Sequence, residues 1–235
     1  MKLVIRHLKK SFGTKEVLKD IAFQFEKGKI YGLLGRNGSG KTTLFNCLNE
    51  DLECDSGEVV LEENKIERPL SPEDIGYVIS TPAVPEFLTG REFLKFYLDI
   101  NEGRITNPKT IDEYFDFLKI DPEDRDKLMK EYSHGMKNKM QMLINIIGSP
   151  NIILLDEPLT SFDVVVAEEM KQMLKDIKKD HILIFSTHIM ELALDLCDEI
   201  VLLNNGVLEE VTQDNLSQEA FKEKIIASLK GEYHD

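Results

Sequence analysis

The sequence predicts an α/β fold with a mostly parallel sheet and a helical insertion. Short apolar segments that are typical of strands alternate with segments of helical spacing. Two of the strand segments, "NIILLDEP" and "HILIFSTH", are continuous apolar runs, as expected for parallel strands buried on both faces. From about residue 86 to residue 130 no segment has a good strand pattern, so the insertion is expected there.

The other expected strands lie on either side of this insertion. Three lie near the N-terminus, "KLVIRHL", "VLKDIAFQF" and "KIYGLLG", and are followed by "EVVLEE" and "IGYVIS". "EIVLLNNGVLEEV" predicts a hairpin that turns at residues 204–206. Within the insertion, "TGREFLKFYLDI" and "KTIDEYFDFLKI" have the apolar spacing of helices. A last amphipathic helix is expected at about residues 216–230.

Composition narrows the classes of function. The 235 residues suit one large domain, and 42% hydrophobic with 31% charged residues is an ordinary globular balance. A formal net charge of −14 disfavours sequence-independent binding of nucleic acid, which needs lysine and arginine to displace counterions. We therefore expect no nucleic-acid partner.

The cysteines and the apolar runs indicate the redox compartment of the protein and whether it spans a membrane. Cys47, Cys54 and Cys197 show no CxxC spacing, and we expect buried or idle thiols in a reducing compartment. The N-terminal apolar run contains charges, unlike a signal peptide, and no run approaches the ~20 residues of a membrane span. We expect a soluble chain, so any membrane part would come from another chain.

The segment "GLLGRNGSGKTTL" carries the strongest chemical signal. Gly35, Gly40, Lys41 and Thr42 satisfy the G-x-x-x-x-G-K-[ST] pattern, after an apolar strand and before a helix. The glycines let backbone N–H groups turn inward, and the helix directs its positive end at the same point. In such a P-loop the lysine reaches the β- and γ-phosphates and the Thr42 hydroxyl ligates Mg²⁺.

Two later strands end in residues that suit the same reaction. Asp156 ends a buried strand, where its carboxylate can hold Mg²⁺ directly or through water, and Glu157 can act as general base on a water molecule. A histidine after a strand, as His188 is, is usually structural. Here it is expected at the same sheet edge, where it would contact a γ-phosphate or orient Glu157.

Taken in order, these motifs identify a family. The P-loop, the helical insertion, then Y-S-H-G-M, L-L-D-E-P, S-F-D and S-T-H resemble the nucleotide-binding subunit of an ATP-binding cassette (ABC) transporter over essentially the whole chain. The resemblance implies a P-loop NTPase core, an antiparallel β subdomain near the N-terminus, and a helical subdomain at about residues 86–150. It also implies a single ABC ATPase domain over residues 1–235.

The resemblance assigns roles to individual residues. Two copies of the domain would bury two ATP molecules, with Phe12 stacking on adenine and with Asp163 in a loop that crosses to the other site. Ser133 and Gly135 would contact the ATP of the partner subunit, and the catalytic set would be Glu157, His188 and Lys41. The nucleotide-binding residues are Gly35, Asn37, Gly38, Ser39, Gly40, Lys41, Thr42 and Thr43.

Two positions depart from the family pattern. Ser80 stands where a glutamine usually contacts Mg²⁺, the lytic water and the membrane partner, and Thr81 or Glu86 could share that role. In the signature motif, usually L-S-G-G-Q, His134 and Met136 replace the first glycine and the glutamine. The segment "YSHGMKNK" also has the pattern of a capped helix start. The two interpretations, signature motif and capped helix start, are compatible.

The expected function is an Mg²⁺-dependent ATPase subunit of a membrane transporter, with ATP and Mg²⁺ as its cofactors. The signature variants resemble those of short subunits that serve export-type permeases, including bacterial drug and peptide-antibiotic efflux systems. Its partners would be an integral membrane permease and a second ABC subunit, and it would lie in the cytoplasm on the inner face of the membrane. Two alternatives remain: a soluble ABC-type ATPase outside transport, and a nucleotide-gated scaffold with little turnover.

Overall fold

The computed structural model describes residues 1–105, 108–159, 164–211 and 218–230. In chain order the strands are β1 (Lys2–Phe12), β2 (Lys15–Glu26), β3 (Ile30–Leu34), β4 (Ser56–Glu63), β5 (Ile66–Pro69), β6 (Ile75–Val78), β7 (Ile152–Asp156), β8 (Ile182–Thr187), β9 (Glu199–Asn204) and β10 (Val207–Val211). The helices are α1 (Lys41–Leu48), α2 (Gly90–Ile100), α3 (Ile111–Phe117), α4 (His134–Ile147), α5 (Val164–Ile177), α6 (Met190–Leu196) and α7 (Gln218–Lys230).

The strands form two sheets. The larger has the order β10-β9-β3-β8-β7-β6 and is parallel except for the antiparallel pair β9 and β10. The smaller, β2-β1-β4-β5, is antiparallel throughout. These sheets and their helices confirm the predicted α/β class, including the antiparallel part near the N-terminus.

A shared apolar layer joins the sheets around α1. Phe25 of the smaller sheet and Tyr31 of the larger are fully buried with ring centroids 4.9 Å apart, and Phe45 of α1 belongs to the same cluster. Burying apolar surface on both sides of α1 stabilises the helix that follows the P-loop. A second cluster covers the other face of the larger sheet with residues of α2 to α5.

The predicted helical insertion, at about residues 86–150, contains α2, α3 and α4. Thr89 and Thr110 cap α2 and α3, since each side chain accepts a hydrogen bond from the backbone N–H three residues later. One isolated bridge, between Thr89 and Leu128, is the only strand-like pairing described there, as the sequence predicts. The bounds 86–150 and the single-domain assignment stay predictions.

Two elements differ from the expectation. β5 was not predicted, because all four of its residues are exposed and so lack the apolar pattern of a buried strand. The last helix is described from Gln218, so residues 216 and 217 of the expected helix lie outside the described residues. In the described part of the chain, no helix is both long and apolar enough to cross a bilayer.

Candidate functional site

The P-loop connects the end of β3 to the start of α1. Gly40 precedes the helix with φ 110°, and a Cβ atom there would lie 2.9 Å from Cγ1 of Val17. At Gly35 a Cβ atom would lie 2.8 Å from the carbonyl oxygen of Leu203. Glycine is therefore required at both positions, by backbone conformation at the first and by close approach at both.

Lys41 places a buried positive charge at the first turn of α1. Only 6% of the residue is exposed, and its Nζ donates to the carbonyl oxygen of Gly35 at 2.9 Å. The same Nζ lies 3.6 Å from Oε1 of Glu157. An ammonium group beside a helix N-terminus makes an anion site suited to phosphate.

Strand pairing brings Asp156 to this point from another part of the chain. β7 and β8 pair so that Asp156 faces Ser186, and β8 also pairs with β3, which precedes the P-loop. The Asp156 carboxylate accepts from the Thr42 hydroxyl at 2.8 Å and from the Ser186 hydroxyl at 2.5 Å. Hydroxyl and carboxylate oxygens so close together fit Mg²⁺, which prefers hard oxygen ligands.

Glu157 is held from both its backbone and its side chain. Its φ of 48° is unusual for a residue other than glycine, and its N–H donates to the Ser186 Oγ at 3.0 Å. Its Oε2 lies 2.9 Å from Nδ1 of His188. A carboxylate fixed by a turn and by an imidazole, next to Lys41, has the arrangement of a positioned general base.

One cavity of about 590 Å³ gathers most of the predicted nucleotide site. Phe12 lies at its edge, half exposed, with the Nζ of Lys10 5.5 Å from the centre of its ring. Ser80 lines the cavity as well, whereas Glu86 binds Lys137 at 2.6 Å and neither Glu86 nor Thr81 is among the lining residues. The residues that line it are Phe12, Lys15, Val17, Asn37, Gly38, Gly40, Lys41, Thr42, Thr43, Ser80, Asp156 and Glu157.

The signature residues do not line this cavity. Ser133 caps α4, since its Oγ accepts from the N–H of Met136 at 3.1 Å. His134 begins the helix and is exposed, and Gly135 follows it in the first turn. The predicted capped helix start is therefore confirmed, and the role of "YSHGMKNK" as a signature motif stays a prediction. Asp163 lies outside the described residues.

Sequence reasoning missed three residues at the site. Lys15 and Val17 of β2 line the cavity, and Ser186 holds both Asp156 and Glu157. A signal for Ser186 was present, because it is the first polar residue after the apolar run "ILIF" and directly precedes Thr187 and His188. The positions of Lys15 and Val17 carry no sequence signal, because an ordinary strand pattern does not show which part of β2 lies close to the P-loop.

Comparisons with known proteins agree with this geometry. A family model described as "ABC transporter" matches residues 18–160. The ABC transporter ATP-binding protein YxlF of Bacillus subtilis is 31% identical over 239 residues, which cover 95% of this chain and 78% of that protein. Because the family model matches more than half of the chain, family membership follows from sequence alone.

Solved structures show the same fold. An "ATP binding subunit of ABC transporter" superposes with a TM-score of 0.79 at 21% identity, over 98% of this chain and 100% of that one. The ATP-binding cassette MJ0796, a dimer in a post-hydrolysis state with ADP and Pi, has a TM-score of 0.73 at 20% identity, over 89% and 99%. The chain therefore belongs to the ABC transporter family and carries its ATP-binding, ATP-hydrolysing domain.

Proposed function

We propose that this chain is the ATP-hydrolysing subunit of a membrane exporter, and that it powers transport through a separate permease. The observation that carries the proposal is the convergence of Lys41, Thr42, Asp156 and Glu157 on one cavity at the carboxyl edge of the larger sheet. This set supplies a phosphate anchor, oxygen ligands for a cation, and a base, which are the parts that phosphoryl transfer to water needs.

Nucleotide binding would use the two ends of the cavity. The triphosphate would lie on the P-loop, where the N–H groups at the start of α1 and the Lys41 ammonium neutralise its charge. The adenine would stack on Phe12, whose half-exposed ring faces the same cavity. On phosphate binding, Lys41 would exchange part of its contact with Glu157 for the phosphate oxygens.

Magnesium would be held by Thr42 and Asp156, with Ser80 as a ligand through water. The 2.8 Å hydrogen bond between the first two shows that their oxygens already converge. The ion, when bound, would neutralise charge on the β- and γ-phosphates. Ser186 would keep Asp156 in place through its hydrogen bond to the other carboxylate oxygen.

Hydrolysis would proceed by attack of water on the γ-phosphorus. Glu157 would accept a proton from that water as the new P–O bond forms and the bond to the ADP oxygen breaks. His188 would orient Glu157 through the 2.9 Å contact between its Nδ1 and Oε2 of Glu157. Lys41 would stabilise the charge that develops on the phosphate oxygens.

The complete site would require a second copy of the domain or a related subunit. Ser133 and Gly135 do not line the P-loop cavity of their own chain, and they would present hydroxyl and backbone donors at the start of α4. A helix start of this kind suits the γ-phosphate bound by the partner subunit. The dimeric structural relative with ADP and Pi supports this arrangement, in which Asp163 would cross between sites.

Membrane coupling would come from a permease. The chain would lie in the cytoplasm against the inner face of the membrane, where ATP-driven closing and reopening of the dimer moves the permease. Export as the direction is based on the form of the signature motif. The net charge of −14 supports a function without nucleic acid.

The Glu157→Gln substitution tests the assigned reaction. Removing the base is expected to lower the ATPase rate by roughly 100- to 10,000-fold while ATP binding persists. ATP should then hold the variant in a closed dimer, visible by size-exclusion chromatography and light scattering. The exposed Glu58, which bonds Arg6, offers the control Glu58→Gln, which should keep the wild-type rate. A wild-type rate in the Glu157 variant would refute the base assignment.

Direction of transport needs a separate experiment with the co-purifying permease. In proteoliposomes with the ATPase subunit facing outward, external ATP should drive cargo into the lumen if the system exports. Accumulation that instead requires ATP inside vesicles of the opposite orientation, with cargo moving toward the ATP side, would establish import.

A further inference from the structure

Two cysteines that are distant from the nucleotide site meet at the far end of α1. Cys47 lies in the last turn of this helix, and Cys54 lies in the connection that leads to β4. The connection folds back over the helix end, since the N–H of Leu52 donates to the carbonyl oxygen of Asn46 at 3.1 Å. The N–H of Asp55 donates to the carbonyl oxygen of Lys9 at 2.9 Å, which fixes the other side of Cys54.

Both cysteines line one cavity of about 370 Å³. Most of its other lining is apolar, with Leu8, Leu48 and Val59 among its residues. Cys47 is 5% exposed and Cys54 is half-buried, so a reagent from solvent reaches Cys54 first. The two side chains therefore lie in one small cavity, and Cys54 influences the ionisation of the Cys47 thiol.

The third cysteine provides an internal comparison. Cys197 packs near Gly32 and Ala193, and it is not among the residues that line the cavity of the pair. Burial raises the pKa of its thiol, and burial together with the neighbouring Cys54 raises the pKa of Cys47 to about 12. Because the thiolate is the reacting form, the raised pKa values make Cys47 and Cys197 less reactive than ordinary thiols.

We propose that Cys47 and Cys54 form a thiol–disulfide exchange site that takes a small-molecule disulfide, such as oxidised glutathione, as its oxidant. The site is separate from the ATP site and does not depend on the transport function. Its half-exposed cysteine is the entry point, and its buried cysteine completes the exchange.

The exchange has two balanced steps. The Cys54 thiolate attacks one sulfur of the oxidant, which forms a mixed disulfide and releases one small thiolate. Cys47 then loses its proton to water and attacks the Cys54 sulfur, and the second small thiolate leaves. Two protein thiols are oxidised to one disulfide, and one small disulfide is reduced to two small thiols.

The resulting disulfide would cross-link two parts of the ATPase core. It would join the last turn of α1, whose first residue is Lys41, to the connection into the antiparallel sheet. The helix that carries the phosphate anchor would then be tied covalently at its other end.

The test uses folded protein that carries Cys197→Ser, with the two remaining cysteines intact. After treatment with oxidised glutathione, acid quenching and alkylation, mass spectrometry should show no free thiol, the loss of two hydrogen atoms, and a peptide containing Cys47 linked to one containing Cys54. The wild-type protein should give the same linked peptide, so the result does not depend on the variant.

Single variants check the order of the steps. Cys47→Ser with Cys197→Ser should retain a stable glutathione adduct on Cys54. Cys54→Ser with Cys197→Ser should react only after denaturation. A lasting adduct on Cys54 in the Cys197→Ser protein, no reaction at all, or disulfides only between chains would each overturn the proposal.

Discussion

Ser186 is the residue on which we base the most specific prediction, and the perturbation is Ser186→Ala. Its hydroxyl is fully buried, donates to the Asp156 carboxylate at 2.5 Å and accepts from the N–H of Glu157 at 3.0 Å. The substitution removes both bonds and leaves the strand pairing of β7 and β8 intact.

The magnitude follows from what remains around the two partners. A hydrogen bond to a charged group contributes about 1.5–3 kcal/mol and a neutral one about 0.5–1.5 kcal/mol. Asp156 keeps its bond from Thr42, and the Glu157 N–H keeps the carbonyl oxygen of Ser186 at 3.2 Å, so neither is left unpaired. We therefore expect a loss near the lower end, about 2 kcal/mol of unfolding free energy.

Thermal unfolding measures this loss. For a domain of this size about 2 kcal/mol corresponds to a fall in Tm of roughly 4–8 °C. The ATPase rate should also fall, because Asp156 and Glu157 lose a common support. The control is Ser56→Ala, at an exposed position of β4, which should change stability by less than about 0.5 kcal/mol. If Ser186→Ala has the Tm and the ATPase rate of this control, the assigned role of the hydroxyl is wrong.

Three further predictions concern other parts of the molecule. Phe12→Ala should raise the Kd for ATP by about tenfold or more, because stacking is lost, and leave the affinity for tripolyphosphate unchanged. Calorimetric titration with each ligand measures both affinities. Equal losses of affinity for ATP and tripolyphosphate would contradict stacking on Phe12. Asp74, with Arg68 donating to it at 2.6 and 2.7 Å, has a pKa well below its ordinary value of 3.8, chiefly because of that guanidinium. The contribution of Asp74 to stability is therefore present above pH 3.8 and is lost as the pH falls below that value. In urea unfolding from pH 3 to 7, the free energy of unfolding of Asp74→Asn should decline less towards acid pH than that of the wild type. Parallel curves for the two proteins would contradict this. His134→Gly should change the ATPase rate less than tenfold, because Ser133 caps α4 through the backbone of Met136; a larger change would show that the histidine side chain acts at the site.

Much of the fold could be predicted because its signals are local. The continuous apolar runs that became β7 and β8 are too short for helices and too apolar for exposed strands. The glycines of the P-loop mark a backbone path that other residues cannot follow, as the φ of 110° at Gly40 shows. By contrast, the exposed β5 has no such pattern, and its place beside β4 depends on pairing alone.

The candidate site divides in the same way. The types and order of the predicted catalytic and metal-binding residues could be recognised in the sequence, because each lies at or beyond the end of a buried strand and parallel strands end at one sheet edge. These residues are Lys41, Asp156, Glu157 and His188. The hydrogen bonds of Ser186 and the place of Val17 in the cavity wall could not be predicted from the sequence. The first depend on the register of β8 against β7, and the second depends on the approach of the smaller sheet to the P-loop.

By itself the sequence determined the fold class, the phosphate-binding loop and the acidic partner of that loop. Those features follow from the periodicity of neighbouring residues and from the backbone freedom of glycine. Only the tertiary structure decided that Glu157 contacts both Lys41 and His188, that Ser133 does not line the P-loop cavity of its own chain, and that Cys47 and Cys54 line one cavity. Contacts of this kind join residues through strand register and packing between layers, and neither is encoded in the spacing of residues along the chain.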